Sequence, residues 1–229
     1  MENNLAIRRA ELNAGKIVAI DKPVDWTSFD VVNKLRGITK VKKVGHAGTL
    51  DPFATGVLLI CFASATKQVN QLMGLEKEYQ GIFELGVETD SHDVTGKIVA
   101  QHPAPDLSRE QIEAAAKKYA GEIMQTPPMF SALKRDGRKL YELARKGEQL
   151  DLEPRPVKIY AFDILAVKLP EIHFRVTCSR GTYIRALARD LGRDLGCGAF
   201  LKTLRRTRIG DYTVANALSI QQFAERLTD

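Results

Sequence analysis

Apolar residues follow two periods along this chain, and the switches between them mark its elements. From Val57 to Phe62 every residue is apolar, and an unbroken run of that length predicts a strand buried on both faces. Ile17–Ile20 predicts a shorter strand, stopped by Asp21-Lys22-Pro23. Thr27 or Ser28 then caps a helix to about Arg36 that buries Val32 and Leu35. Ser64 to Leu72 predicts a short helix, and Glu78 to Val87 alternates as a strand carrying Tyr79. Thr89 to Gly96 is turn chemistry, from which the chain returns through Lys97 to Ala100 as a hairpin. Ser108 with Gln111 makes a capping box for a helix with Ile112, Ala115, Ala116 and Tyr119 on one face, ended by Gly121. Lys139 to Lys146 is helical, ended by Gly147. Pro156 to Leu169 and Glu171 to Cys178 predict two antiparallel strands joined at Pro170. Thr182 caps a helix over Tyr183 to Leu195 that buries Ile184, Leu187, Ala188 and Leu191. Ser219 with Gln222 opens a last helix, and Met1 to Leu12 predicts a short helix or an arm. Strands, hairpins and helices are interspersed rather than strictly alternating, which predicts an α+β fold with a largely antiparallel sheet.

Charge sharpens this picture. Across 229 residues the formal net charge is +6 and 44% of residues are hydrophobic, enough to fill a core. The basic residues cluster at Arg8-Arg9, at Lys40 with Lys42-Lys43, at Lys134-Arg135 with Arg138-Lys139, and at Arg205-Arg206 with Arg208. Any one cluster suits a solvated face; four together predict a nucleic-acid partner. The three cysteines, Cys61, Cys178 and Cys197, show no Cys-x-x-Cys spacing, which predicts neither a disulfide framework nor a zinc ribbon. With no signal peptide and no apolar span of about 20 residues, a reducing cytoplasm and no membrane are expected.

The candidate chemistry gathers in Val44-Gly45-His46-Ala47-Gly48-Thr49-Leu50-Asp51-Pro52-Phe53-Ala54-Thr55-Gly56, immediately before the apolar run. Glycines allow backbone angles that other residues avoid, and Pro52 restricts both itself and Asp51. The pattern predicts a stiff loop leading into the core with a carboxylate held on it. Spacing alone leaves open a plain turn in which Asp51 caps the backbone. It also leaves a His46–Asp51 metal pair, for which two ligands are too few.

Gly45 to Gly56 resembles the catalytic-aspartate motif of the TruB family, the bacterial tRNA pseudouridine-55 synthases. Cys178-Ser179-Arg180-Gly181-Thr182-Tyr183-Ile184-Arg185 matches a second motif of that family, and Gly198 to Gly210, which contains Leu204-Arg205-Arg206, a third. Two positions depart from the family's usual pattern: Asp25 stands where Gly is common and Phe200 where His is common. Asp tolerates left-handed backbone angles better than most residues, so the turn at Asp25 is expected to survive.

The resemblance implies the pseudouridine-synthase fold, a central mixed sheet flanked by helices with a cleft across it, in a single catalytic domain over residues 1–229. It implies a thumb-like RNA-binding insertion at about 125–153 and, since the chain ends soon after the last helix, no PUA domain. It implies conversion of the uridine at position 55, in the T-loop of tRNA, to pseudouridine, with no cofactor, because substrate and product are isomers. Asp51 would be the catalytic carboxylate, Arg185 the guanidinium that keeps it charged, and Tyr79 the tyrosine that stacks on the base and serves the later proton removal. His46 would take part in flipping the base, Tyr183 and Leu204 would shape the uridine pocket, and Lys22 matches the family's lysine. Lys134, Arg135, Arg205 and Arg206 would contact RNA phosphates. The expected partner is the T-arm of tRNA and the expected state a monomer. A tRNA-folding chaperone and a synthase subunit of a guide-RNA particle are the competing functions.

Overall fold

The computed structural model describes residues 6–103, 106–131, 133–135, 137–144, 147–148 and 150–229. It divides into two compact units: residues up to Tyr79 with Leu204–Asp229, and Gln80–Thr203. The first begins with β1 (Ile7–Arg8), α1 (Arg9–Gly15), β2 (Ile17–Lys22), α2 (Ser28–Thr39), β3 (Val44–Ala47) and β4 (Thr55–Phe62). A 3-10 turn over Ala63–Gln68 precedes α3 (Val69–Gly74). The chain passes along β5 (Lys77–Leu85) into the second unit, with β6 (Val87–Thr89), β7 (Ile98–Gln101), α4 (Arg109–Lys117) and β8 (Gly121–Gln125). There follow β9 (Lys134–Arg135), β10 (Arg138–Lys139), α5 (Leu140–Ala144), β11 (Arg155–Lys168), β12 (Glu171–Cys178) and α6 (Ile184–Asp194). β13 (Ala199–Ile209) ends in the first unit, completed by β14 (Tyr212–Thr213), α7 (Ile220–Arg226) and β15 (Leu227–Thr228).

The first unit is built around β4. β2 pairs antiparallel along one edge, from Ile17 opposite Cys61 to Lys22 opposite Gly56. β3 takes the other edge, from Val44 opposite Phe62 to Ala47 opposite Leu59. Where β3 stops, β13 takes that edge in parallel, with Arg205 opposite Thr55 and Arg206 opposite Gly56. Successive β4 side chains serve two cores: Leu58, Ile60 and Phe62 pack with Val31, Val32 and Leu35 of α2 and with Phe223 of α7, while Val57, Leu59 and Cys61 pack with Leu72 and Ile209. A strand covered on both faces has no polar side, which is why its sequence is an unbroken apolar run. α2 starts at the expected place, where Thr27 and Asp30 exchange the two hydrogen bonds of a capping box. It outlasts Arg36 because its stop is Lys40, in the left-handed region at φ 61°. The N-terminal arm is a strand and a helix, tied down by the parallel pairing of Ile7 with Leu227.

In the second unit β11 lies between β12 and β8, antiparallel to both, and β12 neighbours β5. The rings of Phe83 and Phe174 stack with centroids 4.0 Å apart, and Phe162 meets Phe174 edge-on. The β6–β7 hairpin forms as expected, and Ser108 and Gln111 cap α4 reciprocally. Thr182 is not the N-cap of α6. Its hydroxyl donates to the Ser179 carbonyl at 3.0 Å, and the helix begins at Ile184, with the Tyr183 N–H donating instead to Gln125 Oε1 at 2.8 Å. Four further strands, β8, β9, β10 and β13, escape a pattern reading. β8 begins at Gly121, at φ 94°, a residue that reads only as a helix stop, and β9 and β10 are only two residues each. β13 hides because Arg206 occupies one of its buried positions. Interspersed helices and strands, mostly antiparallel with parallel contacts at β4–β13 and β1–β15, make this an α+β protein with mixed pairing.

Candidate active site

Asp51 sits on the connection between β3 and β4, and that connection is held from three directions within the first unit. The Ser28 hydroxyl, at the start of α2, accepts from the Leu50 N–H at 2.9 Å and donates to the Leu50 carbonyl at 3.3 Å. The Pro52 carbonyl accepts from Lys22 Nζ at 3.0 Å and from the Asp25 N–H at 2.9 Å. Asp25 adopts φ 64° there, so the turn keeps its left-handed residue without glycine. Arg206 supplies the third hold. Glycine is required at Gly56, with φ 103°, where a Cβ would stand 2.2 Å from the Arg206 carbonyl oxygen.

Lys22, the match to the family's lysine, does not face solvent. It is fully buried, and Nζ donates to the carbonyls of Pro23 at 2.8 Å, Trp26 at 2.6 Å and Pro52 at 3.0 Å. Three acceptors match the three protons of an ammonium. Burial pulls its pKa down to about 8, against the pull of Asp25 and Asp51, with the Arg206 charge lowering it further. At neutral pH it remains the cation that this geometry suits.

Arg206 is the clearest departure from expectation. A phosphate contact must reach solvent, yet Arg206 is 1% exposed. Its Nε donates to the Val57 carbonyl at 2.7 Å and Nη2 to the Gly48 carbonyl at 2.9 Å. Its guanidinium carbon lies 6.0 Å from the centre of the buried Tyr79 ring. Arg205 alternates to the other face of β13, partly exposed, with Nη2 2.7 Å from Asp21 Oδ2 and Nη1 3.2 Å from Thr55 Oγ1. Leu204 is buried two residues before Arg206. His46 lies on β3 opposite Ile60. Burial, then the Arg206 charge, holds its pKa below the usual histidine range, so it is neutral at physiological pH. Its enclosed Nδ1 has no hydrogen-bond partner.

Tyr183 and Arg185 belong to the second unit. A cation in the first turn of a helix is disfavoured by the dipole, which either an anionic partner or exposure to solvent would offset at Arg185. Asp93 is such a neighbour: its Oδ2 is 3.2 Å from Arg185 Nη1, and both side chains are buried. Arg185 also donates to the carbonyls of Ser91 at 3.3 Å and Phe130 at 2.8 Å. Asp93 Oδ1 accepts from the Ser91 hydroxyl at 2.7 Å and from the Thr95 N–H and hydroxyl at 2.9 and 2.6 Å. Asp93 was missed because its Ser-His-Asp-Val-Thr surroundings read as a solvated turn; the run of short hydroxyl residues about one Asp was the available signal. His92, beside it at φ 60°, is pushed down to about 4 by burial and by the charges of Arg189 and Arg185. Tyr183 is anchored through its backbone, which exchanges two hydrogen bonds with the Gln125 amide. The side chains of Lys134 and Arg135 lie outside the described residues; their backbones form β9, paired with β10.

Lys22, His46, Asp51, Tyr79, Leu204, Arg205 and Arg206 thus share the first unit, and Tyr183 and Arg185 the second. Among the described residues, no group of three or more His, Cys, Asp or Glu side chains is placed to hold a metal ion, and no helix is long and apolar enough to cross a membrane.

Residues 36–184 match the TruB family pseudouridylate synthase N-terminal domain, and residues 185–229 match the tRNA pseudouridylate synthase B C-terminal domain. The chain is 48% identical over 220 residues to the tRNA pseudouridine synthase B of Flavobacterium johnsoniae, covering 93% of this chain and 96% of that one. With the protein of the same name from Geotalea uraniireducens it shares 45% identity over 212 residues, covering 93% of this chain and 68% of that one. Among solved structures it is similar to a chain of a Cbf5-Nop10-Gar1 complex, with a TM-score of 0.73, 29% identity and coverage of 94% of this chain. A chain of an H/ACA RNP bound to a substrate RNA containing 2'-deoxyuridine gives a TM-score of 0.70, 26% identity and coverage of 98%. This chain spans only 55% and 59% of those two.

Two measurements check the buried charges. Replacing Asp93 by Asn removes the carboxylate beside an enclosed guanidinium and should lower unfolding stability by about 3 kcal/mol, read by urea titration. For Lys22 the folded pKa lies below the unfolded one, so between about pH 8 and pH 10.4 the unfolded chain binds more protons and stability contributed at this site should rise with pH. The stability difference between wild type and Lys22→Met, followed across that window, should show the rise; a flat difference contradicts it.

Proposed function

The chain belongs to the TruB family of pseudouridylate synthases, and on that premise we propose that it isomerises the uridine at position 55, in the T-loop of tRNA, to pseudouridine. The observation that carries the reading is the fixed loop: the aspartate of the family motif stands on a connection braced by Ser28, Lys22 and Arg206. Asp51 is the catalytic carboxylate in this proposal. The chemistry breaks the N-glycosidic bond, turns the uracil and joins its C5 to C1′ of the ribose, and it begins from an ionised carboxylate. Tyr79 stacks on the base and its hydroxyl serves the final proton removal from C5. Arg185 is the active-site guanidinium, a role that rests on its motif match. Neutral His46 suits a part in base flipping, since the extruded uracil must meet hydrogen-bonding groups in place of its lost partners. Leu204 and Tyr183 shape the uridine pocket.

RNA binding is proposed for the partly exposed Arg205, for Lys134 and Arg135, and for the insertion at about 125–153, with the chain acting as one catalytic domain, a cytoplasmic monomer on the T-arm. A role in tRNA folding is compatible with the same surface. The guide-RNA alternative has less support: the relatives covered over most of their own length carry the tRNA synthase name, whereas this chain spans little more than half of the H/ACA chains.

The protein alone, incubated with an unmodified tRNA transcript, should form one pseudouridine, mapped to the T-loop. Asp51→Asn removes a charge with little change in volume. It should abolish product while leaving RNA affinity within about tenfold, or 1.4 kcal/mol. Multiple turnover by this variant, or product elsewhere in the transcript, contradicts the proposal. If Asp51→Asn still speeds tRNA refolding as wild type does, the folding role is independent of catalysis.

A further inference from the structure

We infer that Arg206 is a positioning residue for the reaction: its buried guanidinium clamps both ends of the loop that carries Asp51. The inference rests on the reading of Asp51 as the reactive carboxylate and concerns how that carboxylate is held. Nη2 bonds the Gly48 carbonyl at 2.9 Å and Nη1 reaches the Thr49 carbonyl at 3.5 Å, both before Asp51; Nε bonds the Val57 carbonyl at 2.7 Å, after it. One planar group therefore fixes where the loop leaves β3 and where it enters β4. β2 pairs β4 through Gly56 and Val57 along one edge; along the other, the β13 pairing stops at Gly56 and the β3 pairing at Leu59, and the Val57 carbonyl bonded by Arg206 lies in the gap between them.

The clamp is itself anchored. The parallel register of Arg206 with Gly56 sets the Arg206 backbone against the far end of the loop, so closely that a Cβ at position 56 has no room. The same guanidinium lies over the Tyr79 ring, and its charge reaches His46 and Lys22. A single enclosed cation thus touches or biases three of the first-unit residues assigned to the site, Tyr79, His46 and Lys22. At this position a planar fork of N–H groups sets the angles at which the carbonyls are held, whereas a lysine ammonium would be a point charge on a flexible stem. The partner chemistry is peptide carbonyl, not phosphate, which separates Arg206 from its exposed neighbour Arg205.

The test uses Arg206→Lys, which keeps the charge and loses the fork, and Arg206→Gln, with Arg205→Gln as the comparison. Misplacement of a reacting group by about 1 Å lowers rate by about a hundredfold. Both Arg206 variants should therefore lose about that much in kcat on tRNA, with KM and tRNA affinity within about threefold. Amide exchange in the variants should quicken over residues 48–57 and stay unchanged in α2, α7 and the second unit. Arg205→Gln should weaken tRNA binding and leave amide exchange over residues 48–57 unchanged. The inference is overturned if either Arg206 variant keeps kcat within about threefold, if the loss falls on affinity, or if faster exchange spreads evenly through the first unit. Should neither variant fold, the Nε–H of Arg206 in the wild-type protein, followed by NMR, must exchange slowly with solvent; fast exchange removes the clamp. Exchange in 48–57 reads the clamp even if wild type forms no pseudouridine, so failure of the functional proposal and failure of this one are separable.

Discussion

Backbone carbonyls enclosed without a ladder partner are the constraint on which this site depends. The loop that carries Asp51 runs outside regular sheet between β3 and β4, so its carbonyls must find other donors or lose several kcal/mol of solvation. Beside the Ser28 hydroxyl and the Asp25 N–H, the donors include two buried cations, Lys22 and Arg206. Burying a charge costs several kcal/mol, whereas each hydrogen bond made by a charged group returns about 1.5–3 kcal/mol. Three carbonyls at Lys22 are enough to offset that cost. The surplus appears as stiffness, because each cation bridges segments distant in sequence. Removing either leaves both an unfilled space and unsatisfied acceptors, so neither position tolerates a neutral residue of similar length without loss.

The second unit meets the same difficulty by pairing opposite charges. Arg185 enters α6 at its unfavourable end and is compensated by Asp93, whose other oxygen is filled by Ser91 and Thr95. An arginine that is already hydrogen-bonded to the Ser91 and Phe130 carbonyls has few rotamers left, and its side chain is fixed before any substrate arrives. Lys22 and Arg206 in the first unit and Arg185 in the second are thus each held by polar partners of their own unit.

Much of this was legible in the chain. The apolar run at Val57–Phe62 announced a strand covered on both faces, two capping boxes located their helices, and Asp25 was recognisable as a residue able to stand in for glycine. The motif around Asp51 singled out the loop. What stayed hidden was burial of charge. Lys22 and Arg206 carry the same symbols as solvated residues, and nothing in local spacing distinguishes a cation facing water from one facing three carbonyls. The basic stretch Arg205-Arg206 looked like one patch; strand alternation splits it into an exposed residue and an enclosed one, and the strand was itself obscured by the charge at its buried position. Asp93 was hidden in the same way, by turn chemistry that serves a core ion pair.

The central claim is that the position of the Asp51 carboxylate, fixed by its loop, governs the reaction. Asp51→Glu tests it most directly, since charge and chemistry are kept while the carboxylate moves by one methylene. Single-turnover rates on tRNA, with affinity measured alongside, should show about a hundredfold loss or more in rate at unchanged affinity. A glutamate variant that turns over near the wild-type rate would mean that the loop is free to adjust, and that the clamped-carboxylate account is wrong.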